Sequence, residues 1–102
     1  MSKVCQLFSG SSGNSIYINT KNASFLVDIG VSAKRCEIAL RQIGVDPSSI
    51  DAVFVTHEHS DHIKGIRVFA NKYNIPVYAT LKCSKELESG GYIDEKTDLH
   101  IF

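Results

Sequence analysis

With 102 residues, 43% of them hydrophobic and 22% charged, the chain has the size and composition of one small globular domain. Its 11 basic residues balance 11 acidic ones, which excludes a general electrostatic attraction to nucleic acid or to an anionic membrane. No apolar stretch approaches the ~18 residues of a membrane span, and the N-terminus lacks the apolar core of a signal peptide. We therefore expect a cytoplasmic protein with no membrane partner.

The opening third of the chain predicts a small β-meander. Residues 4–8 and 16–19 have the composition and alternation of strands, and the apolar run 25–27 predicts a strand buried on both faces. A helix should follow with Ser32 as its N-cap and Gly44 at its C-terminal end. Its buried face, from helical spacing, comprises Cys36, Ala39, Leu40 and Ile43.

The remainder continues as alternating strands and helices. Residues 52–55 and 76–79 predict buried strands, and between them an apolar stripe predicts one amphipathic helix through residues 63–73. A shorter helix should run from Thr80 to about residue 87, and residues 98–102 resemble the start of another strand. This alternation predicts an α/β layered fold. Because the chain stops on that uncovered strand, we expect it to be the front portion of a longer domain.

The three cysteines, Cys5, Cys36 and Cys83, lie far apart and form neither a CxxC pair nor an even-numbered disulfide framework. We interpret them as reduced thiols that pack as small hydrophobic side chains.

The strongest chemical signal is residues 57–62, which hold three of the four histidines of the chain directly after a predicted strand. His57 and His59 are two apart, so an extended loop points both the same way. Asp61 and His62 fall where the next helix should begin, and the turn of the backbone can aim them at a neighbouring point. Imidazole and carboxylate donors of this kind suit zinc, iron or manganese.

The spacing is HxHxDH rather than the helical HExxH of zinc proteases. It resembles the signature of the metallo-β-lactamase fold superfamily. Together with residues 7–15, 26–30 and 56–65, it is similar to the YycJ (WalJ, VicX) branch of that superfamily over essentially the whole chain. The resemblance implies that residues 1–102 form a partial domain, the N-terminal half of a four-layer αββα sandwich.

The resemblance also implies two divalent metal ions, with zinc expected and manganese or iron as alternatives. His57 and His59 would bind the first ion, and Asp61 and His62 the second, with Asp61 also acting in catalysis by orienting the attacking water. The second half of such a domain supplies the remaining ligands, and none of them can be assigned here. The fourth histidine, His100, is interpreted as an ordinary strand residue.

Two further regions are implicated more weakly. Asp28 matches the family's strand-end aspartate, which supports the histidine loop, although it could simply cap a turn. The loop of residues 9–14, with Ser12 and Asn14, would border the active site and could present backbone N–H groups to a phosphate. A plain flexible turn is the alternative.

The implied function is a metal-dependent hydrolase, foremost a phosphodiesterase or nuclease that acts on DNA or RNA through a metal-bound hydroxide. An acyl hydrolase for a thioester, lactone or β-lactam is the alternative within the fold. A diiron oxygen- or nitric-oxide-reducing protein would carry glutamate in place of His59, which counts against it.

A non-catalytic metal-binding or interaction fragment is the remaining possibility. A basic strip of Lys64, Arg67 and Lys72 could contact nucleic acid but equally suits a solvated helix face. A half-sandwich would also leave one sheet face uncovered, so we expect self-association through that face.

Overall fold

A computed structural model describes residues 3–10, 13–57 and 59–102. Six strands form one sheet: β1 (Lys3–Phe8), β2 (Ser15–Asn19), β3 (Ser24–Val27), β4 (Ala52–Phe54), β5 (Val77–Ala79) and β6 (Leu99–Ile101). Four α-helices connect or flank them: α1 (Ala33–Gln42), α2 (Ser60–Ile63), α3 (Ile66–Tyr73) and α4 (Leu81–Ser89), with a 3-10 turn at Pro47–Ser49. The α/β prediction is confirmed.

The strands lie side by side in their order along the chain. The first three are antiparallel neighbours, as in a meander, whereas β3 to β6 pair in parallel. Parallel neighbours need crossover connections, which are almost always right-handed. Three successive crossovers of one hand place α1, α3 and α4 on the same face of the sheet.

The alternation of burial along the strands follows from this arrangement. On the helix side, Leu26, Val53 and Val77 are fully buried and lie in register across β3, β4 and β5. On the opposite side, Phe25 and Val27 are only half-buried. The prediction that residues 25–27 are buried on both faces is therefore wrong, because the described helices all cover one face.

Helix α1 begins and ends where the sequence indicates. The Ser32 hydroxyl accepts a hydrogen bond from the Arg35 N–H at 3.3 Å, and Gly44 adopts a left-handed conformation with φ +80° just after the helix. Its buried face differs from the prediction, since Ile43 is 42% exposed. The helix has already ended at Gln42, so the position of Ile43 no longer follows helical periodicity.

A carboxylate, Glu37, is buried on α1 instead. Lys72 Nζ donates to its Oε1 at 2.8 Å and the Tyr73 hydroxyl donates to the same oxygen at 2.9 Å. The hydrogen bond from Lys72 lowers the pKa of Glu37 below its usual value, and Tyr73 contributes in the same direction. This ion pair links α1 to α3. Because Lys72 is paired with Glu37, it is not a free cation of the basic strip that the sequence suggested.

The cysteines that the sequence assigns to the interior are mostly buried. Cys36 and Cys83 lie in the core and Cys5 is half-buried. Burial raises the pKa of the Cys36 thiol to about 12, so it stays protonated and packs as an apolar side chain. Among the helices of the described ranges, none is long and apolar enough to cross a membrane.

The single helix predicted for residues 63–73 is divided into α2 and α3 at Gly65. The Gly65 N–H donates to the Ile29 carbonyl at 2.8 Å instead of continuing a helical ladder. A Cβ atom at Gly65 would overlap the Val31 carbonyl oxygen, so the backbone of residues 29–31 and the start of α3 touch directly. Tertiary contact thus interrupts the helix and leaves a single turn, α2, beside the histidine cluster.

We predict that Gly65→Ala destabilises the protein by about 1–3 kcal/mol, the range for overpacked interiors. The added methyl group would meet backbone atoms, which cannot move without displacing residues 29–31. Urea denaturation measures the loss. Gly90→Ala is the matched control, because its nearest atoms belong to the half-buried Tyr92 ring, which can rotate away. Equal destabilisation by both substitutions would contradict the close approach at Gly65.

Candidate metal centre

Three backbone segments converge at the carboxyl ends of β3 and β4. Residues 28–30 continue β3, residues 55–62 continue β4, and residues 13–14 precede β2. The Ile29 N–H donates to the His62 carbonyl and the Asn14 N–H donates to the Asp61 carbonyl, both at 2.8 Å. A Cβ atom on Gly30 would overlap the Asp61 carbonyl, so only glycine permits this approach.

Asp28 sits at the centre of this junction with a side chain only 6% exposed. Its backbone has φ +62°, a left-handed conformation that aspartate tolerates better than most residues. Oδ1 accepts the Thr56 N–H at 2.8 Å, and Oδ2 accepts the Thr56 hydroxyl. His62 Nδ1 lies 2.7 Å from the same Oδ2. Because a carboxylate only accepts, His62 donates from Nδ1, and in the neutral imidazole Nε2 then carries the free lone pair.

The same carboxylate also orients His57 through one intermediate. Thr56 Oγ1 lies 2.9 Å from His57 Nδ1. The single hydroxyl proton of Thr56 is directed at Asp28, so the threonine oxygen must accept from His57 Nδ1–H. Both neutral histidines therefore leave Nε2 available to a metal ion. The centroids of their rings lie 4.6 Å apart.

The neighbouring carboxylate faces this pair of histidines. Asp61 Oδ2 lies 3.7 Å from His62 Nε2, a separation that one cation between the two atoms would bridge. The carboxamide of Asn14 donates to both the Asp61 carbonyl oxygen and Oδ2, at 3.0 and 3.2 Å. One-third of the Asp61 side chain is exposed, so its carboxylate remains open to solvent.

The residues singled out from the sequence are not all brought together. Donor atoms of Asp28, His57 and His62 lie within 4.8 Å of one another. His59 lies outside this group, at the N-terminal boundary of α2 with an exposed side chain. Ser12, assigned to the substrate loop, lies outside the described residues, as does Glu58.

The donor set suits a divalent metal ion. The imidazoles of His57 and His62, each with a free Nε2, and the carboxylate of Asp61 are ligands that zinc, iron and manganese accept. Both oxygens of Asp28 already accept hydrogen bonds, from Thr56 and His62. This is the usual arrangement of a carboxylate that orients a ligating histidine rather than binding the metal itself.

Thr56 is the residue that sequence reasoning missed. It directly precedes the motif, within the segment 56–65 that resembles the family, but nothing in its residue type indicates a role. A threonine between a buried strand and a histidine is usually a strand-end residue. Its function becomes visible only when Asp28, 28 positions away, is placed beside it.

Comparison with known proteins identifies the family of the chain. The chain belongs to the metallo-beta-lactamase superfamily, whose model matches residues 9–94. It is 43% identical over 98 residues to an exodeoxyribonuclease WalJ of Streptococcus pneumoniae serotype 2, covering 94% of this chain and 36% of that protein. It is 45% identical over 82 residues to an exodeoxyribonuclease YycJ of Bacillus anthracis, covering 80% and 31%.

Solved structures show the same fold. A B3 metallo-beta-lactamase with an active-site glutamic acid superposes with a TM-score of 0.77 at 23% identity, over 97% of this chain and 42% of that one. The chain thus spans about a third of the length of its curated relatives and corresponds to their N-terminal part. The resemblance stated from the HxHxDH motif and its flanking segments is confirmed at the level of the family.

We predict that His57 and His62 are both protonated at Nδ1 when neutral, the less common tautomer of a free imidazole. Nitrogen-15 chemical shifts of the imidazole rings of the metal-free protein at alkaline pH measure this directly. Asp28→Asn should shift both rings toward the Nε2–H form, because asparagine tolerates the same backbone but offers one acceptor fewer.

His100 is the internal control for this measurement. Its Nε2 lies 3.0 Å from Asp98 Oδ1, so it should be protonated at Nε2 in both proteins. Nε2–H forms of His57 and His62 in the wild-type protein would contradict the assigned role of Asp28.

Proposed function

We propose that the protein is a metal-dependent phosphodiesterase, a nuclease that acts on DNA or RNA, with exonucleolytic cleavage of DNA as the first activity to test. The observation that supports it most is the pairing of His62 Nε2 with Asp61 Oδ2 across 3.7 Å, beside a second histidine with a free Nε2. The exodeoxyribonuclease names of its relatives direct the choice of substrate.

The proposed ligands are His57, His59, Asp61 and His62, with zinc as the metal. When bound, divalent ions of this kind make water acidic enough to supply a nucleophile near neutral pH and stabilise charge on a phosphoryl oxygen. His59 is included on the strength of the family resemblance, because its exposed side chain lies outside the group of donor atoms that the structure brings together. Asp61 has a further role, to accept a hydrogen bond from the attacking water and hold it in line with the phosphorus.

Asp28 has a supporting role in this proposal. It holds His62 directly and His57 through Thr56, which restricts the rotation of both rings. Removing partners of this kind typically weakens metal binding or activity about 10–100-fold.

Two basic side chains close to the histidine cluster in sequence could contribute to nucleic acid binding. Lys64 and Arg67 are exposed and follow the histidine cluster, whereas Lys72 is neutralised by Glu37. Two exposed cations can contact phosphates of a nucleic acid end but provide no long basic track. We also propose a cytoplasmic location, where thiols such as Cys36 stay reduced.

We predict that Asp61→Ala in the full-length protein abolishes cleavage of bis-p-nitrophenyl phosphate and of linear duplex DNA, while thermal unfolding remains cooperative. Loss of the water-orienting carboxylate should lower kcat at least about 100-fold. Asp98→Ala, which removes an exposed carboxylate that contacts only His100 among the described residues, is the matched control.

Two further substrates, covalently closed circular DNA and a chromogenic β-lactam, are assayed with the same proteins. An exonuclease degrades the linear duplex and spares the closed circle. Turnover of the β-lactam alone would favour the acyl-hydrolase alternative, and unchanged cleavage by Asp61→Ala would remove this residue from the mechanism.

The open face of the sheet supports a second proposal about this chain in isolation. Phe25, Phe54, Tyr78 and His100 form a continuous row of ring contacts across β3 to β6, with centroids 4.9–5.4 Å apart. The three rings of Phe25, Phe54 and Tyr78 are only half-buried. An aromatic row of this kind favours burial against another surface.

We predict that the 102-residue chain elutes from size-exclusion chromatography as a species larger than a compact monomer. Phe54→Lys should shift it toward the monomer, because a charge on the open face opposes association. Val68→Lys is the matched control, since Val68 is 53% exposed on the helix-covered side of the sheet. A stable wild-type monomer would contradict the proposal.

A further inference from the structure

Asn14 makes an unusual number of hydrogen bonds for a loop residue. Its Nδ2 donates to the carbonyl oxygens of Gly10 and Asp61, both at 3.0 Å, and to Asp61 Oδ2 at 3.2 Å. Its Oδ1 accepts the Gly10 N–H at 3.2 Å. Its own backbone N–H and carbonyl bond to Asp61 and Gly30, each at 2.8 Å. The residue therefore joins three segments that are remote in sequence.

The orientation of the carboxamide follows from chemistry. Three acceptor oxygens surround Nδ2, and one N–H donor faces Oδ1. Exchanging the two atoms would place an oxygen against all three acceptors and leave the Gly10 N–H facing an NH₂ group. The NH₂ group must therefore face Asp61.

This contact acts on Asp61 at two points. The backbone carbonyl and the carboxylate of the same residue are held by one NH₂ group, which restricts the rotation of the Asp61 side chain. Oδ2, the oxygen that Asn14 contacts, is also the one that faces His62 Nε2. Because the acceptor is a charged carboxylate, this hydrogen bond favours one orientation of the Asp61 side chain.

We propose that Asn14 is a positioning residue for Asp61, and that it couples the Gly10 backbone to the metal centre. It acts through Asp61 rather than by contacting substrate, which revises the role in a substrate loop that the sequence suggested for it. Binding of a cation at Asp61 is favoured by the carboxylate orientation that Asn14 selects. The Gly10 backbone, bonded to the same carboxamide, is fixed by the same event. This inference rests on the proposed metal-binding role of Asp61.

The test compares Asn14→Ala with Asn19→Ala in the full-length protein. Asn19 lies at the other end of β2 and donates to Ser24 Oγ at 2.7 Å, so it controls for the loss of a partly buried asparagine hydrogen bond. Zinc dissociation constants are measured by competition with a chromophoric chelator. Asn14→Ala should weaken the zinc site that includes Asp61 about 10–100-fold, the usual effect of removing a partner of a ligand, while Asn19→Ala leaves both constants unchanged.

Two further readouts separate positioning from simple stability. The visible spectrum of the cobalt-substituted protein should change in Asn14→Ala and not in Asn19→Ala, because it reports ligand geometry. Steady-state cleavage should show a lower kcat with little change in KM. Equal zinc constants and spectra for the two variants would overturn the inference.

Two additional measurements test the proposal if Asn14→Ala does not fold. Asn14→Leu keeps the branched volume and removes the hydrogen bonds, and it should repeat the loss of zinc affinity. In the wild-type protein, zinc should shift the side-chain amide resonances of Asn14 and leave those of Asn19 in place. Unshifted Asn14 resonances would overturn the proposal.

The same measurements distinguish this inference from the proposed function. A wild-type protein that binds zinc but cleaves neither DNA nor RNA contradicts the nuclease proposal, while the zinc constants still decide the role of Asn14. A wild-type protein that binds no zinc overturns both.

Discussion

The hydrogen bonds that the buried carboxylate of Asp28 accepts are the interactions on which the rest of the site depends. It lies at the end of β3 and accepts hydrogen bonds from Thr56 and His62 on the segment that follows β4. A buried carboxylate without such donors would strongly destabilise the fold. The segment after β4 is therefore held in the position from which Thr56 and His62 can donate to Asp28. One residue thus fixes both the course of the loop and the tautomers of two histidines.

That arrangement is possible because β3 and β4 are parallel neighbours. Their carboxyl ends meet at one edge of the sheet, which brings Asp28 and Thr56 into contact although they are 28 positions apart. Crossover connections then carry the helices to one face, and the loops at the strand ends remain accessible. Gly30 and Gly65 let the backbone segments at this edge approach without an intervening side chain.

Much of this was predictable from local sequence. Strand and helix positions follow from apolar periodicity, and the ends of α1 follow from Ser32 and Gly44. Residues 57–62 identify the family because their spacing is specific. The predictions were wrong where tertiary contacts override periodicity: the helix interrupted at Gly65 and the strand face left half-exposed at Phe25.

The sequence by itself determined the types of the candidate ligands, their grouping between a strand and a helix, and the family to which the chain belongs. Tertiary structure alone decided which nitrogen of each histidine is free and what holds Asp61. Hydrogen bonds between Asp28 and His62, and between Asn14 and Asp61, join residues 34 and 47 positions apart. No periodicity encodes such pairs, because they arise from the packing of loops at one edge of the sheet.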